Sequence, residues 1–265
     1  MARTAVVTGA NRGVGLEFTR QLLARGDRVL AGCRQPGKAT ELNALTGHHP
    51  GRLRVLPLDL ANPDSRAGFV AELPLALGED ARIDLLINNA GVLHSGERFG
   101  QLRQATLEDS LAVNAIGPLL LTQALAPWFA DANAVEGGGL PINQASIGER
   151  LDRQPAPFDT SHHPVIANLS SQLGSIAGVT RFGAPSYAIS KAAQNMATAQ
   201  LAKALAPRGV VVLAFHPGWV QTAMGGPKAT DAPQAVVAGM LSVIDAATPE
   251  QSGGFFDWRG ERLPW

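Results

Sequence analysis

The sequence predicts an α/β protein, a doubly wound parallel sheet with helices on both faces. Three observations carry this. Short apolar runs alternate with longer amphipathic stretches along the chain. The runs are apolar almost throughout, as strands covered on both faces are. The first run ends in a glycine-rich turn that opens a helical stretch.

TAVVTG is the first strand-like run. GLEFTRQLLARG follows, with Leu16, Phe18, Leu22 and Leu23 on one stripe of a 3.6-residue period and Gly26 as the stop. RVLAGC, LRVLPLDL, IDLLINNAG, VIANLSS and VVVLAFHPG are the later runs, rich in Val, Ile and Leu, several ending in Gly, Asp, Asn or Ser. No internal repeat or interdomain linker separates them, so the 265 residues read as one domain, 1–265. From about 131 to 164 the rhythm fails. That stretch is rich in Gly, Pro, Asn, Gln and Asp, which is loop chemistry, and it is long for a compact domain. It reads either as a surface excursion or as a loop shaping a site. His162 and His163 lie in it without a nearby Cys or carboxylate cluster, so no metal is expected.

Lys+Arg and Asp+Glu number 22 each, which leaves no basic excess for nucleic acid or an anionic membrane surface. One cysteine, Cys33, forbids an internal disulfide and fits a reducing compartment. The N-terminus reaches glycine within ten residues without a signal-peptide stretch, and no run approaches the roughly 20 apolar residues that span a bilayer. The expectation is a soluble cytoplasmic protein acting on a small molecule.

The turn TGANRGVG follows the first strand directly. Gly9, Gly13 and Gly15 let backbone approach a pyrophosphate, and the helix N-terminus is aimed at it; Asn11, Arg12 and Val14 complete the cradle. The spacing is G-x-x-x-G-x-G and no Gly-Lys-Ser/Thr follows, so this is not a P-loop. The expected architecture is therefore a Rossmann fold. An NAD site would carry an acid about 20 residues on, holding the ribose 2′-hydroxyl. Here Cys33 stands about where the acid would be and Arg34 follows. A guanidinium grips a 2′-phosphate that a carboxylate would repel. Arg12 supplies a second charge and Lys38 a weaker third, so NADPH/NADP+ is the expected cofactor. The competing reading makes these cations ordinary solvated surface residues.

SYAISK holds the only tyrosine, Tyr187, with Lys191 four positions on. Such a pair shares a helix face and is common without any function. The rest of the chain decides otherwise. TGANRGVG, Asp59 in LDL, NNAG at 88–91, Asn114 in VNAIGP, NLSS, YAISK and HPGWVQT occur in that order. This resembles the short-chain dehydrogenase/reductase family across nearly the whole chain. TGANRGVGLEF, SSQLGSI, HPGWVQTAMGG and GGFFDWRGERLPW resemble its branch of sniffer-type carbonyl reductases and C-factor-like proteins.

The resemblance implies roles. Asp59 would contact the adenine with Leu60 beside it. Asn88 and Ala90 would shape the adenosine-ribose wall, and Gly91 would let the chain pass the cofactor. Pro217 and Gly218 would turn under the nicotinamide, and Val220 and Thr222 would fix its carboxamide. The catalytic set would be Asn114, Ser171, Tyr187 and Lys191, with Lys191 also on the nicotinamide ribose and Asn114 interrupting its helix to hold a relay water. Ser171 stands 16 positions before Tyr187, a few more than the commonest family spacing, so Ser170 and Ser175 stay open as alternatives. No metal is implied.

The chemistry the resemblance implies is carbonyl reduction, with Tyr187 expected as the acid that protonates oxygen. Its unperturbed pKa is about 10. A charge about 4 Å away at an effective dielectric of about 20 is worth roughly 4 kcal/mol, so the Lys191 ammonium is expected to favour the tyrosinate. Leu93, Phe182, Trp219 and Met224 point to an apolar or aromatic-tolerant substrate pocket. Relatives that pair through the helices carrying Asn114 and Tyr187 imply a homodimer or homotetramer, which the insertion after Trp128 could block. The rival function is an NADP-binding signalling or redox-sensing protein with little turnover.

Overall fold

The structure, a computed structural model, describes residues 2–78, 82–129 and 163–265. Residues 131–162 of the expected insertion, His162 among them, lie outside the described residues. His163 Nδ1–H donates to the Gly209 carbonyl at 2.9 Å.

Six strands form where the apolar runs predict them: β1 (Thr4–Thr8), β2 (Arg28–Cys33), β3 (Leu53–Pro57), β4 (Leu85–Asn88), β5 (Val165–Leu169) and β6 (Val211–His216). A seventh, β7 (Phe255–Asp257), joins them within GGFFDWRG. All seven lie in one parallel sheet of order β3-β2-β1-β4-β5-β6-β7. The order reverses between β1 and β4, and the crevice beyond their carboxyl ends is where such sheets bind ligands.

Each strand feeds two cores because successive side chains leave opposite faces. Val7, Ala31, Ile87, Ala167 and Leu213 pack with α1 (Gly13–Ala24) and α8 (Pro233–Asp245), against Phe18, Leu22, Val237 and Met240. Val6, Leu30, Leu86, Ile166 and Val212 form the other layer with Phe69, Leu121 and Leu205. Burying each such side chain contributes about 1.5–3 kcal/mol. In α1 the predicted stripe is buried, and Gly26 at φ 94° takes the left-handed turn that ends it.

Helices α2 (Thr40–His48), α3 (Pro63–Ala71) and α4 (Leu73–Leu77) follow α1 along the chain, and two further helices position the site. The first runs through α5 (Gln104–Leu111), a π-helical turn at Ala112–Ile116, and α6 (Gly117–Leu125) into a 3-10 turn ending at Trp128. Among the described residues this run is long and apolar enough, by length and composition, to cross a bilayer, contrary to the sequence expectation. It is a core helix here, because Asn114, Leu121, Thr122 and Leu125 are fully buried against protein. The second is α7 (Pro185–Leu205), whose 21 residues bury Ser186, Ser190, Lys191, Gln194, Asn195 and Thr198 before turning to Ala202 and Leu205.

Candidate active site

A cleft of about 630 Å3 opens at the carboxyl ends of β1 and β4. The glycine turn, Arg34, Asp59 and Leu60 border it, as do Ala90, Gly91, Tyr187, Lys191, Pro217 and Thr222. At the turn, Gly9 has φ 65°, and a Cβ there would stand 2.8 Å from Ala90 Cα. A Cβ on Gly15 would stand 2.3 Å from the Gly9 carbonyl oxygen and 2.4 Å from Asn89 Nδ2. Only glycine allows α1 to begin this close to β1 and β4. The first turn of α1 carries no acidic residue and no side-chain cap, which leaves its N–H groups open to an anion. Arg12 and Arg34 are exposed and form no ion pair among the described residues. These residues fit a dinucleotide with an additional phosphate. Lys38 does not border the cleft.

The opposite end is built of buried polar side chains. Ser171 lies beside Tyr187, where it lowers the phenol's pKa, and its hydroxyl accepts from the Leu173 N–H at 3.1 Å. Its neighbours are committed elsewhere. Ser170 Oγ donates to Asn195 Oδ1 at 2.5 Å, and Ser175 Oγ accepts from the Gly178 N–H at 3.1 Å. Of the three serines left open by spacing, Ser171 is the one that acts on Tyr187. Ala184 holds φ 43° immediately before Pro185, which starts the helix carrying Tyr187 and Lys191. Lys191 Nζ lies 5.6 Å from the Tyr187 ring centroid and donates to the Leu169 carbonyl at 2.6 Å and Gln194 Oε1 at 2.8 Å.

Asn114 sits in the π-helical turn, as its expected interruption of the helix requires. Its side chain accepts from the Val92 N–H at 2.8 Å and donates to the Val92 carbonyl and Ser190 Oγ, each at 2.9 Å. The side chain is fully used in holding the strand end.

The electrostatics differ from the sequence expectation. Burial pushes the Tyr187 pKa up to about 12, offset in part by Ser171. Burial pushes that of Lys191 down to about 7. Desolvation disfavours both charged forms, and it outweighs the attraction between them because the ammonium bonds Leu169 and Gln194 instead of the phenol. In the free protein Tyr187 is therefore a neutral phenol holding its proton.

Several expected residues lie away from the cleft. Asn88 is buried in the sheet, where its Nδ2 donates to Asn168 Oδ1 at 2.8 Å and Thr122 Oγ1 at 3.1 Å. The next residue, Asn89, borders the cleft instead and donates to the Thr8 and Gly9 carbonyls. Gly218, at φ 84°, packs under Asp231 and Trp258, and the Val220 side chain belongs to the core. Leu93 and Met224 border the cleft, whereas Phe182 stacks edge-to-face on Phe99 at 5.8 Å and Trp219 Nε1 donates to the Gly225 carbonyl. Thr8, Asn89, His94 and Gln221 on the cleft wall were not singled out from sequence. Thr8, just before Gly9, had the clearest signal: its hydroxyl accepts from the Asn89 and Ala90 N–H groups.

A glycine cradle without a phosphate-gripping lysine, facing a tyrosine and a buried lysine, separates this crevice from those of P-loop nucleotide-hydrolysing α/β proteins and fits a dinucleotide-dependent oxidoreductase. A short chain dehydrogenase family profile matches residues 3–150 and 154–233. The chain belongs to that family. It is 38% identical over 183 residues to C-signal of Myxococcus xanthus, covering 69% of this chain and 93% of that protein. The NADPH-bound carbonyl reductase from chicken fatty liver superposes with TM-score 0.84 at 32% identity, covering 100% of this chain and 99% of that one. The carbonyl reductase Sniffer of D. melanogaster superposes with TM-score 0.85 at 30% identity, covering 100% of both chains.

Proposed function

We propose that this chain is an NADPH-dependent carbonyl reductase that converts an aldehyde or ketone to an alcohol, acting as one domain in the cytoplasm. The observation that carries this reading is that Tyr187, with Ser171 beside it, and Lys191 border the same cleft as the glycine turn. The solved carbonyl reductase that it resembles with NADPH bound supports the choice of cofactor.

NADPH, when bound, supplies the hydride that reaches the carbonyl carbon. The chain supplies position, charge and the proton. The first turn of α1 receives the pyrophosphate, and Arg12 and Arg34 receive the 2′-phosphate. Ser171 and Tyr187 converge on the carbonyl oxygen. As that oxygen gains negative charge it takes the proton of Tyr187, which burial has kept neutral. Lys191 then stabilises the tyrosinate. The backbone carbonyl of Asn114 accepts from a water that reconnects Lys191 with solvent.

The test is NADPH oxidation, followed by absorbance, across aldehydes, ketones and quinones. Turnover of at least one class supports a reductase. Tight NADPH binding with no turnover on any class favours a second reading, a protein that binds the nucleotide for signalling. The 38% identity to C-signal is the observation behind that alternative.

A further inference from the structure

Gln194 stands one turn beyond Lys191 on α7 and is 1% exposed. Its amide oxygen accepts from Lys191 Nζ at 2.8 Å. The other side of that amide, Nε2, is buried with no hydrogen-bond partner among the described residues. A buried donor left unsatisfied costs about 1–3 kcal/mol, and an apolar side chain of the same size would avoid that cost. The acceptor side is thus the use of this residue. The backbone reinforces its place: Thr198 Oγ1 donates to the Gln194 carbonyl at 2.9 Å and accepts from Asn168 Nδ2 at 2.8 Å, tying α7 to β5.

We propose that Gln194 is a positioning residue for the reaction, its Oε1 holding the Lys191 ammonium so that one donor is left for the cleft. The count follows from the chemistry. An ammonium has three N–H donors; Leu169 takes one and Gln194 a second. The third is the one available on the side that borders the cleft. The inference rests on the reading of Lys191 as a member of the catalytic set.

Tyr187, on the same helix, is the ionisable side chain facing the ammonium. The neutral groups against it are the Leu169 carbonyl from β5, the Gln194 amide and Gly91, where a Cβ would lie 3.7 Å from Nζ. Burial has already brought the lysine down to about 7, so its charge near neutral pH depends on each acceptor it keeps. Removing the Gln194 oxygen lowers it further.

The experiment compares wild type, Gln194→Leu and Gln194→Glu in two measurements. With saturating NADPH, the alkaline fall of kcat/KM for a reducible carbonyl should move to lower pH by about one unit in Gln194→Leu. It should move to higher pH in Gln194→Glu, where a carboxylate replaces the amide. In the cofactor-free protein, the pH at which melting temperature begins to rise through Lys191 deprotonation should move the same way. Gln194→Leu should melt no lower than wild type at pH 9, where Lys191 is uncharged in both and the orphaned amide is gone; Gln194→Met serves if the leucine variant fails to fold. Unmoved profiles in both measurements overturn the inference. If Tyr187→Phe abolishes turnover while the Gln194 profiles stay put, this inference alone fails. If Tyr187→Phe keeps full turnover, the reading of the site fails with it.

Discussion

The two ends of the cleft are built from different materials. The cofactor end is mostly backbone: a turn that only glycine can make, an open helix N-terminus and two exposed arginines. The chemical end is mostly buried side chain, with Asn114 at 0%, Lys191 at 3% and Ser171 at 8% exposure, hydrogen-bonded across β4, β5 and α7. Backbone at the first end sets where an anion lies, and desolvation at the second sets which groups are charged. The ends should therefore fail separately.

The largest separation is expected from Tyr187→Phe. Loss of the proton donor should lower kcat by on the order of a thousandfold, within the range of general acid catalysis, and leave NADPH affinity nearly unchanged. Arg34→Asp should do the reverse. Charge-assisted hydrogen bonds contribute about 1.5–3 kcal/mol, so NADPH Kd should rise on the order of 100-fold while NADH binding shifts far less. Equal losses for both nucleotides in titration calorimetry would remove Arg34 from the phosphate site. Gly15→Ala tests the backbone end directly. Its Cβ overlaps the Gly9 carbonyl, so chemical denaturation should show a loss of about 3 kcal/mol together with weakened nucleotide binding.

The smallest effect concerns charge at the buried end. Folded Lys191 titrates near 7 and an unfolded lysine near 10.4. Between those values the unfolded chain binds the extra proton, so the lysine disfavours folding at low pH, and stability rises with pH through that window. Relative to Lys191→Met, wild type should gain up to about 1.4 kcal/mol per pH unit from pH 7 to 9. A flat difference in denaturation midpoints would show that the lysine stays charged.

The same contrast explains what was legible in the sequence. The six longer strands are readable because their runs are apolar almost throughout, and the stripe of α1 because its apolar side chains repeat with the helical period. β7 was not, since Phe255–Asp257 is too short to display any period. The glycine turn was readable because its chemistry is local. Asn88 and Asn89 were confused because a strand's last residue still points into the sheet while the next has left it, and no local signal marks that step. On α7 the buried stripe is polar through Ser190, Lys191, Gln194 and Thr198, so hydrophobic periodicity could not reveal it. The spacing of Tyr187 and Lys191 gave their shared face but not their depth, and depth reverses the expected sign of the tyrosine shift.

The most direct test puts both ends on one preparation. NADPH affinity and NADPH-dependent turnover of a reducible carbonyl are measured for wild type and for Tyr187→Phe. The account predicts matching affinities, within about threefold, and turnover lost in the variant by on the order of a thousandfold. A Tyr187→Phe protein that binds NADPH and still reduces the carbonyl at the wild-type rate would contradict it.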